Sequence, residues 1–258
     1  SPEKTRRLGH GLTRHSPNAP TVNDTGGMQQ LPNGSLVWSA RDVSDCDRCP
    51  WSVAMSYRSV TSGSWPAPPL DQPLRGLMAR ALGDHRDRVF RTLSAQPGQV
   101  VDFPGDASTE DLIVATTEAT TITRPHLTFT DPTSKLAIAA RADAMVRDES
   151  GRYRIHAIRL GRSSMRQRLL GLAAFQVGLD TLGIACLDGA TVTFSDCVPR
   201  EFDLTESVQL WTQLTAELAT MVERLTGDEV SLGWTDSPFD QCGRQGCAWC
   251  QDALARND

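Results

Sequence analysis

Five of the seven cysteines lie in two short stretches at opposite ends of the 258-residue chain. The first is Cys46-Asp47-Arg48-Cys49-Pro50, and the second is Gln241-Cys242-Gly243-Arg244-Gln245-Gly246-Cys247-Ala248-Trp249-Cys250. Thiolates grouped in this way converge on one point, which suits a metal ion or an iron–sulfur cluster. A disulfide framework fits poorly, because seven is odd, no signal-peptide pattern is visible, and the chain far exceeds a small secreted domain. Zinc takes paired C-x2-C knuckles, which Cys46/Cys49 and Cys247/Cys250 supply. A 4Fe–4S cluster takes four thiolates at uneven spacing, which Cys242, Cys247, Cys250 and either Cys46 or Cys49 supply. Spacing leaves both the metal and that choice of ligand open. A centre drawing on both stretches would staple the chain's two ends together. Cys186 and Cys197, in apolar surroundings, are expected to be small core residues.

Composition bounds the rest. The length allows one domain, with a flexible N-terminal arm over residues 1–30 and the body over 31–258. No apolar run approaches the roughly 20 residues of a membrane span. The cysteine content points to a reducing cytoplasm. Net charge is −5, which excludes a generic polyanion binder, so any nucleic-acid contact must be local.

The elements that must position these residues follow from patterning. Asn33-Gly34 marks a turn. Ser39 with Asp42 starts a short helix that ends at the first cysteine pair, and Pro50 opens another running to about Tyr57. Residues 61–73 hold four prolines and read as a linker. From Leu74 a helical stripe runs through Leu77, Met78, Ala81, Leu82, Val89 and Leu93, backed by a solvated basic face of Arg75, Arg80, Arg86, Arg88 and Arg91. A strand at 99–103 precedes a helix capped by Ser108 and running through about Thr121. Three strand-like runs cover 126–129, 136–146 and 152–160. A helix over 169–182, a strand over 190–194 and an amphipathic helix over 204–225 complete the body. Arg154, Arg159, Arg162, Arg166 and Arg168 crowd the end of the third strand and the start of the next helix. Gly161-Arg162-Ser163-Ser164 would then sit at a helix N-terminus, a natural anion site. Arginines there grip phosphate without metal, or form a solvated basic loop.

A long helix, three strands, a helix and a strand is the element order of the PD-(D/E)XK nuclease core, an α/β fold. The chain resembles the RecB-like branch over roughly residues 36–252. His85-Arg86-Asp87 resembles the first motif, Ala140-Arg141-Ala142-Asp143 the second, His156-Ala157-Ile158-Arg159 the third, and Leu169–Phe175 the helix that carries Gln-x3-Tyr. The cysteines resemble the iron–sulfur clasp of AddB-type nucleases. The resemblance implies a catalytic group of Asp143, Asp87 and His85 with Arg159, a 4Fe–4S cluster, and DNA or a helicase or other processing partner.

Departures qualify that implication. Ala157 stands where a second metal-binding carboxylate is required, Arg159 where a Lys is required, and Gly171 and Phe175 where Gln and Tyr are required. Arginine stays protonated and cannot act as a base. With one carboxylate, Mg²⁺ binding is not expected. The reading is a nuclease-like protein whose nuclease chemistry is absent or weak. Its alternatives are a surviving enzyme, either a weak nuclease or one doing cluster chemistry on a small molecule, and a zinc-stabilised interaction module.

Overall fold

The computed structural model describes residues 27–63, 75–227, 230–243 and 247–256. Strands β1 (Gln29–Gln30) and β2 (Leu36–Ser39) form an antiparallel hairpin. Gly34 turns it at φ 85°, a conformation that favours glycine. Ser39 and Asp42 form a reciprocal capping box that starts α1 (Ala40–Arg48). Pro50 opens α2 (Pro50–Ser62) at the position where its missing N–H costs nothing. Next come α3 (Arg75–Ser94), β3 (Val100–Asp102) and α4 (Thr109–Glu118), the last capped by Ser108 and Asp111 in the same way. Strands β4 (Thr121–Thr123), β5 (His126–Thr130), β6 (Ala137–Arg141), β7 (Ala144–Arg147) and β8 (Tyr153–Ile158) follow. The chain continues through α5 (Met165–Thr181), β9 (Cys186–Thr193), β10 (Pro199–Asp203), α6 (Thr205–Gly227) and α7 (Ala248–Arg256). The described residues thus form a mixed α/β protein with two sheets and seven helices.

The chain divides into two compact units. In the described residues, the first unit covers 75–129 and 139–209. It holds a six-stranded mixed sheet in the order β10-β9-β8-β7-β4-β3. Within that sheet β7 pairs antiparallel to both β4 and β8, β3 pairs parallel to β4, and β9 pairs parallel to β8 after the α5 crossover. Val89 and Leu93 of α3 pack with Ala144 and Ile158 on one face. Helix α5 is buried along Leu170, Leu172, Ala173, Ala174 and Phe175. A Cβ at Gly178 would lie 2.5 Å from Leu127 and 2.9 Å from Phe129, so only glycine lets the helix approach so closely.

The second unit covers 27–63, 130–138, 210–227, 230–243 and 247–256 in the described residues, and so contains both cysteine stretches. Trp38 stacks on Tyr57 with ring centroids 6.2 Å apart. The fully buried Trp211 donates its indole N–H to Asp131 at 3.1 Å. The other oxygen of Asp131 accepts from the Ser134 N–H and hydroxyl, so this buried acid is fully partnered.

Several elements differ from the sequence reading. The run over 136–146 is two strands, broken at Ala142-Asp143. The sheet strand that precedes β7 is β4, in residues read as the tail of a helix, and β5 is not among the six strands. β-branched Thr121, Ile122 and Thr123 outweigh the helical periodicity there. Strand β10, unread in the sequence, begins with a proline, as an edge strand tolerates. Helix α2 runs on to Ser62, and α5 starts at Met165 rather than 169. Leu77 and Met78 stay exposed, at 60% and 54%. Cys197 is exposed and Cys186 half-buried, so neither is a core residue. The N-terminal arm lies outside the described residues save 27–30, where β1 already begins. The linker's 64–73 also lies outside them.

His156 lies in β8 between Ala144 and Thr191. Burial, with Arg154 nearby, depresses its imidazole from 6.5 to about 4. Between those values the unfolded chain binds the extra proton, so stability is full above pH 6.5 and falls as pH drops toward 4. The parent should lose stability over this window faster than His156→Gln, by at most about 1.4 kcal/mol per pH unit in urea titrations. Parallel curves for the two proteins would refute it.

Candidate functional site

The cysteine site is built at a helix junction. The backbone N–H of Cys49 closes α1 on the Asp45 carbonyl at 2.7 Å. Cys49 then turns the chain (φ −158°, ψ 80°) straight into α2, which leaves it at the N-terminus of that helix. Residues 230–240 are tied to α2. The Trp51 N–H donates to the Asp240 carbonyl at 3.2 Å, and its indole N–H to the Leu232 carbonyl at 3.0 Å. Helix α7 is held by the Trp249 indole, which donates to the Ser56 hydroxyl at 3.0 Å. Cys247 immediately precedes α7, and Cys250 lies in its first turn, fully buried.

These elements bring Cys49, Cys242, Cys247 and Cys250 together, with all four sulfurs within 4.8 Å of one another. The Cys49–Cys250, Cys242–Cys250 and Cys247–Cys49 distances are 3.6, 3.7 and 3.9 Å. Four cysteines so placed can hold a metal ion. The Cys247 thiol donates to Cys49, which pulls Cys49 below the ordinary thiol range and pushes Cys247 above it. Backbone N–H groups of Cys242 and Ser52 also serve the Cys49 sulfur, that of Gly243 serves Cys250, and that of Cys250 serves Cys247. N–H groups and helix N-termini both favour thiolate, the form a metal requires. Trp51 and Trp234 meet edge to face at 5.1 Å and, with Met55, Trp249, Asp252 and Arg256, line a cleft of about 340 Å³.

Of the two N-terminal cysteines, the group of four contains Cys49. Cys46 is buried on α1 and outside the group of four. Burial pushes its thiol up to about 12, and the charges of Glu217 and Asp47 act in the same direction.

In the first unit, Asp143 sits where β6 gives way to β7. One oxygen accepts the Ile158 N–H at 2.7 Å and a guanidinium N–H of Arg159. The other faces Arg86 at 2.9 Å. The Asp143 side chain is 10% exposed. Arg86 is the member that sequence reasoning missed. Its position beside His85 was the available signal, but the surrounding arginines made it read as part of a solvated face. Asp87 does not join this group and lies exposed on α3. His85 is fully buried, with neither ring nitrogen partnered among the described residues. Among those residues the four cysteines are the one group of three or more metal-ligating side chains within ligating distance. Ala157 is buried in β8.

Three of the remaining arginines have separate partners. Arg154 pairs with Glu201 at 3.0 Å, Arg162 lies over the Phe194 ring at 5.6 Å, and Arg168 donates to the Gly161 carbonyl. Burial, with Arg159 nearby, pulls the Arg168 guanidinium below its usual range. Arg166 lies in the first turn of α5, whose N-cap residue Ser164 makes no side-chain cap. No described helix is long and apolar enough to cross a membrane.

No family model and no curated protein matches the chain. It is similar to a solved structure described as that of SSO0001, at 16% identity, over 73% of this chain and 77% of that one, with a TM-score of 0.37.

Cys49→Ser should lose bound metal and destabilise the chain by several kcal/mol, about the scale of losing a structural ligand set. Cys46→Ser should keep its full metal content. Metal analysis and thermal unfolding of both variants measure this, and equal metal loss in the two would reject the assignment.

Proposed function

We propose that the chain is a catalytically silent, metal-clasped relative of RecB-like PD-(D/E)XK nucleases that binds a phosphate-bearing ligand, DNA foremost, without cutting it. The observation that carries this reading is the state of Asp143, whose two carboxylate oxygens are both occupied by guanidinium and backbone donors. Mg²⁺ needs carboxylate oxygens and bound water in octahedral array. Here it would have to displace two fixed cations and find a second carboxylate at Ala157. The order α3, β4, β7, β8, α5, β9 supports the nuclease-like core, with helix, three antiparallel strands, crossover helix and parallel strand in sequence. One carboxylate between two guanidinium groups leaves the locality positive in a chain of net charge −5. A local field of that sign attracts phosphate.

Two measurements test this. DNA incubated with the protein and Mg²⁺ or Mn²⁺ should remain uncut, and cutting that Asp143→Ala abolishes would overturn the silent assignment. Replacing Ala157 by Glu and Arg159 by Lys together should restore a carboxylate pair and raise cleavage above the parent.

DNA affinity should be weak and fall with salt, each neutralised phosphate adding about −0.9 to the log–log slope. Substituting Ala for Arg159 and Arg162 should flatten that slope by up to about two units. An unchanged slope rejects this site, and a parent that binds no polyanion rejects the ligand.

A further inference from the structure

We propose that the four cysteines hold one tetrahedral zinc ion and not a 4Fe–4S cluster. This rests on reading Cys49, Cys242, Cys247 and Cys250 as metal ligands.

A single ion bonded to four thiolates at about 2.3 Å fixes the sulfurs at the corners of a tetrahedron whose edge is about 3.8 Å. Three of the sulfur separations are 3.6, 3.7 and 3.9 Å, and no pair exceeds 4.8 Å. A cubane sets a different demand. Each thiolate binds a different iron and points outward from its corner, which spreads the sulfurs to roughly 6 Å. Every pair would have to open by more than about 1 Å to admit it.

The scaffold opposes that opening. Cys49 is fixed between two helices by its own N–H bond to Asp45. Cys250 is inside α7, which Trp249 ties to Ser56 on α2. The Trp51 bonds to Leu232 and Asp240 hold the segment that leads to Cys242 against the same helix. With the backbone held in this way, spreading the sulfurs would require the cysteine side chains to turn away from the converged arrangement they adopt here.

The donor set agrees. Four thiolates and no open position describe a closed structural site, for which zinc is the ordinary occupant. Four thiolates around a divalent ion leave two negative charges. The N–H groups of Ser52, Cys242, Gly243 and Cys250 offset them. Only one C-x2-C knuckle contributes, Cys247/Cys250, while Cys49 and Cys242 enter singly. The paired-knuckle pattern expected from Cys46 and Cys49 is therefore not what selects the ion.

The test uses the full chain, produced with both iron and zinc supplied and purified without oxygen. About one zinc per chain is expected, with no acid-labile sulfide and no absorption near about 400 nm. Metal-free protein titrated with Co²⁺ should give the intense visible bands of a tetrahedral thiolate site at one equivalent. Those bands should vanish in Cys49→Ser and persist in Cys46→Ser. The same metal-free protein given iron and sulfide under reducing conditions should assemble no cluster. About four irons with matching sulfide, in purified or reconstituted protein, would overturn the single-ion proposal while keeping the cysteines as ligands. A chain that takes no metal at all, and unfolds at the same temperature as Cys49→Ser, would overturn the ligand assignment and this proposal with it.

Discussion

Four thiol sulfurs within 4.8 Å of one another must share either protons or a cation. In the first case one thiol donates to its neighbour, and two acids that would ionise alike are driven apart, as Cys49 and Cys247 are. Neither arrangement is stable without a surrounding frame, since close thiolates repel and buried thiols hydrogen-bond weakly. The second unit is built as that frame. The junction of α1 with α2, the segment 230–243 and the start of α7 each deliver one or two sulfurs, and Trp51 and Trp249 tie these elements together by hydrogen bonds. A cation at the centre converts the repulsion into the bond that joins residues from both ends of the chain. Closing so long a loop removes much of the unfolded state's freedom, which is why such a centre stabilises out of proportion to its size.

Asp143 meets the same problem of concentrated charge with a different solution. A carboxylate 10% exposed needs a counter-charge, and the first unit provides it from its own sequence. Arg159 approaches from β8 and Arg86 from α3, while the Ile158 N–H fills the remaining lone pair. A buried acid supplied in this way has no need of a metal. Arg159 and Arg86 together are what keep Asp143 partnered.

How much of this was readable beforehand depends on the range of the interaction. Capping boxes at Ser39 and Ser108 are local and were legible, as were the Asn-Gly turn and the helix opened by Pro50. Cys242, Cys247 and Cys250 were legible from spacing alone. What selects Cys49 over Cys46 is not local. It depends on α1 placing Cys46 on its buried side one turn before the junction, and on α7 arriving beside that junction. The short strand β4 was hidden because three residues carry too little pattern to compete with the adjacent helix, and its identity comes from pairing with β3 and β7. Arg86 was hidden for a related reason. A helix face with five arginines reads as solvated, and only the approach of Asp143 from another element singles one of them out.

The contrast between the two sites bears on what each can do. A site that carries its own cations is complete when the chain folds, and its chemistry is limited to the anions those cations attract. A site made of four acids is incomplete until a cation arrives, and its geometry is then a statement about that cation. The sulfurs lie within 4.8 Å of one another on elements that the Cys49, Trp51 and Trp249 hydrogen bonds hold. The proposed single ion rests on that distance, whereas spacing along the chain is equally open to a cluster. Order along the chain says which residues can meet, while the distance at which the scaffold lets them meet decides how many metal ions fit between them.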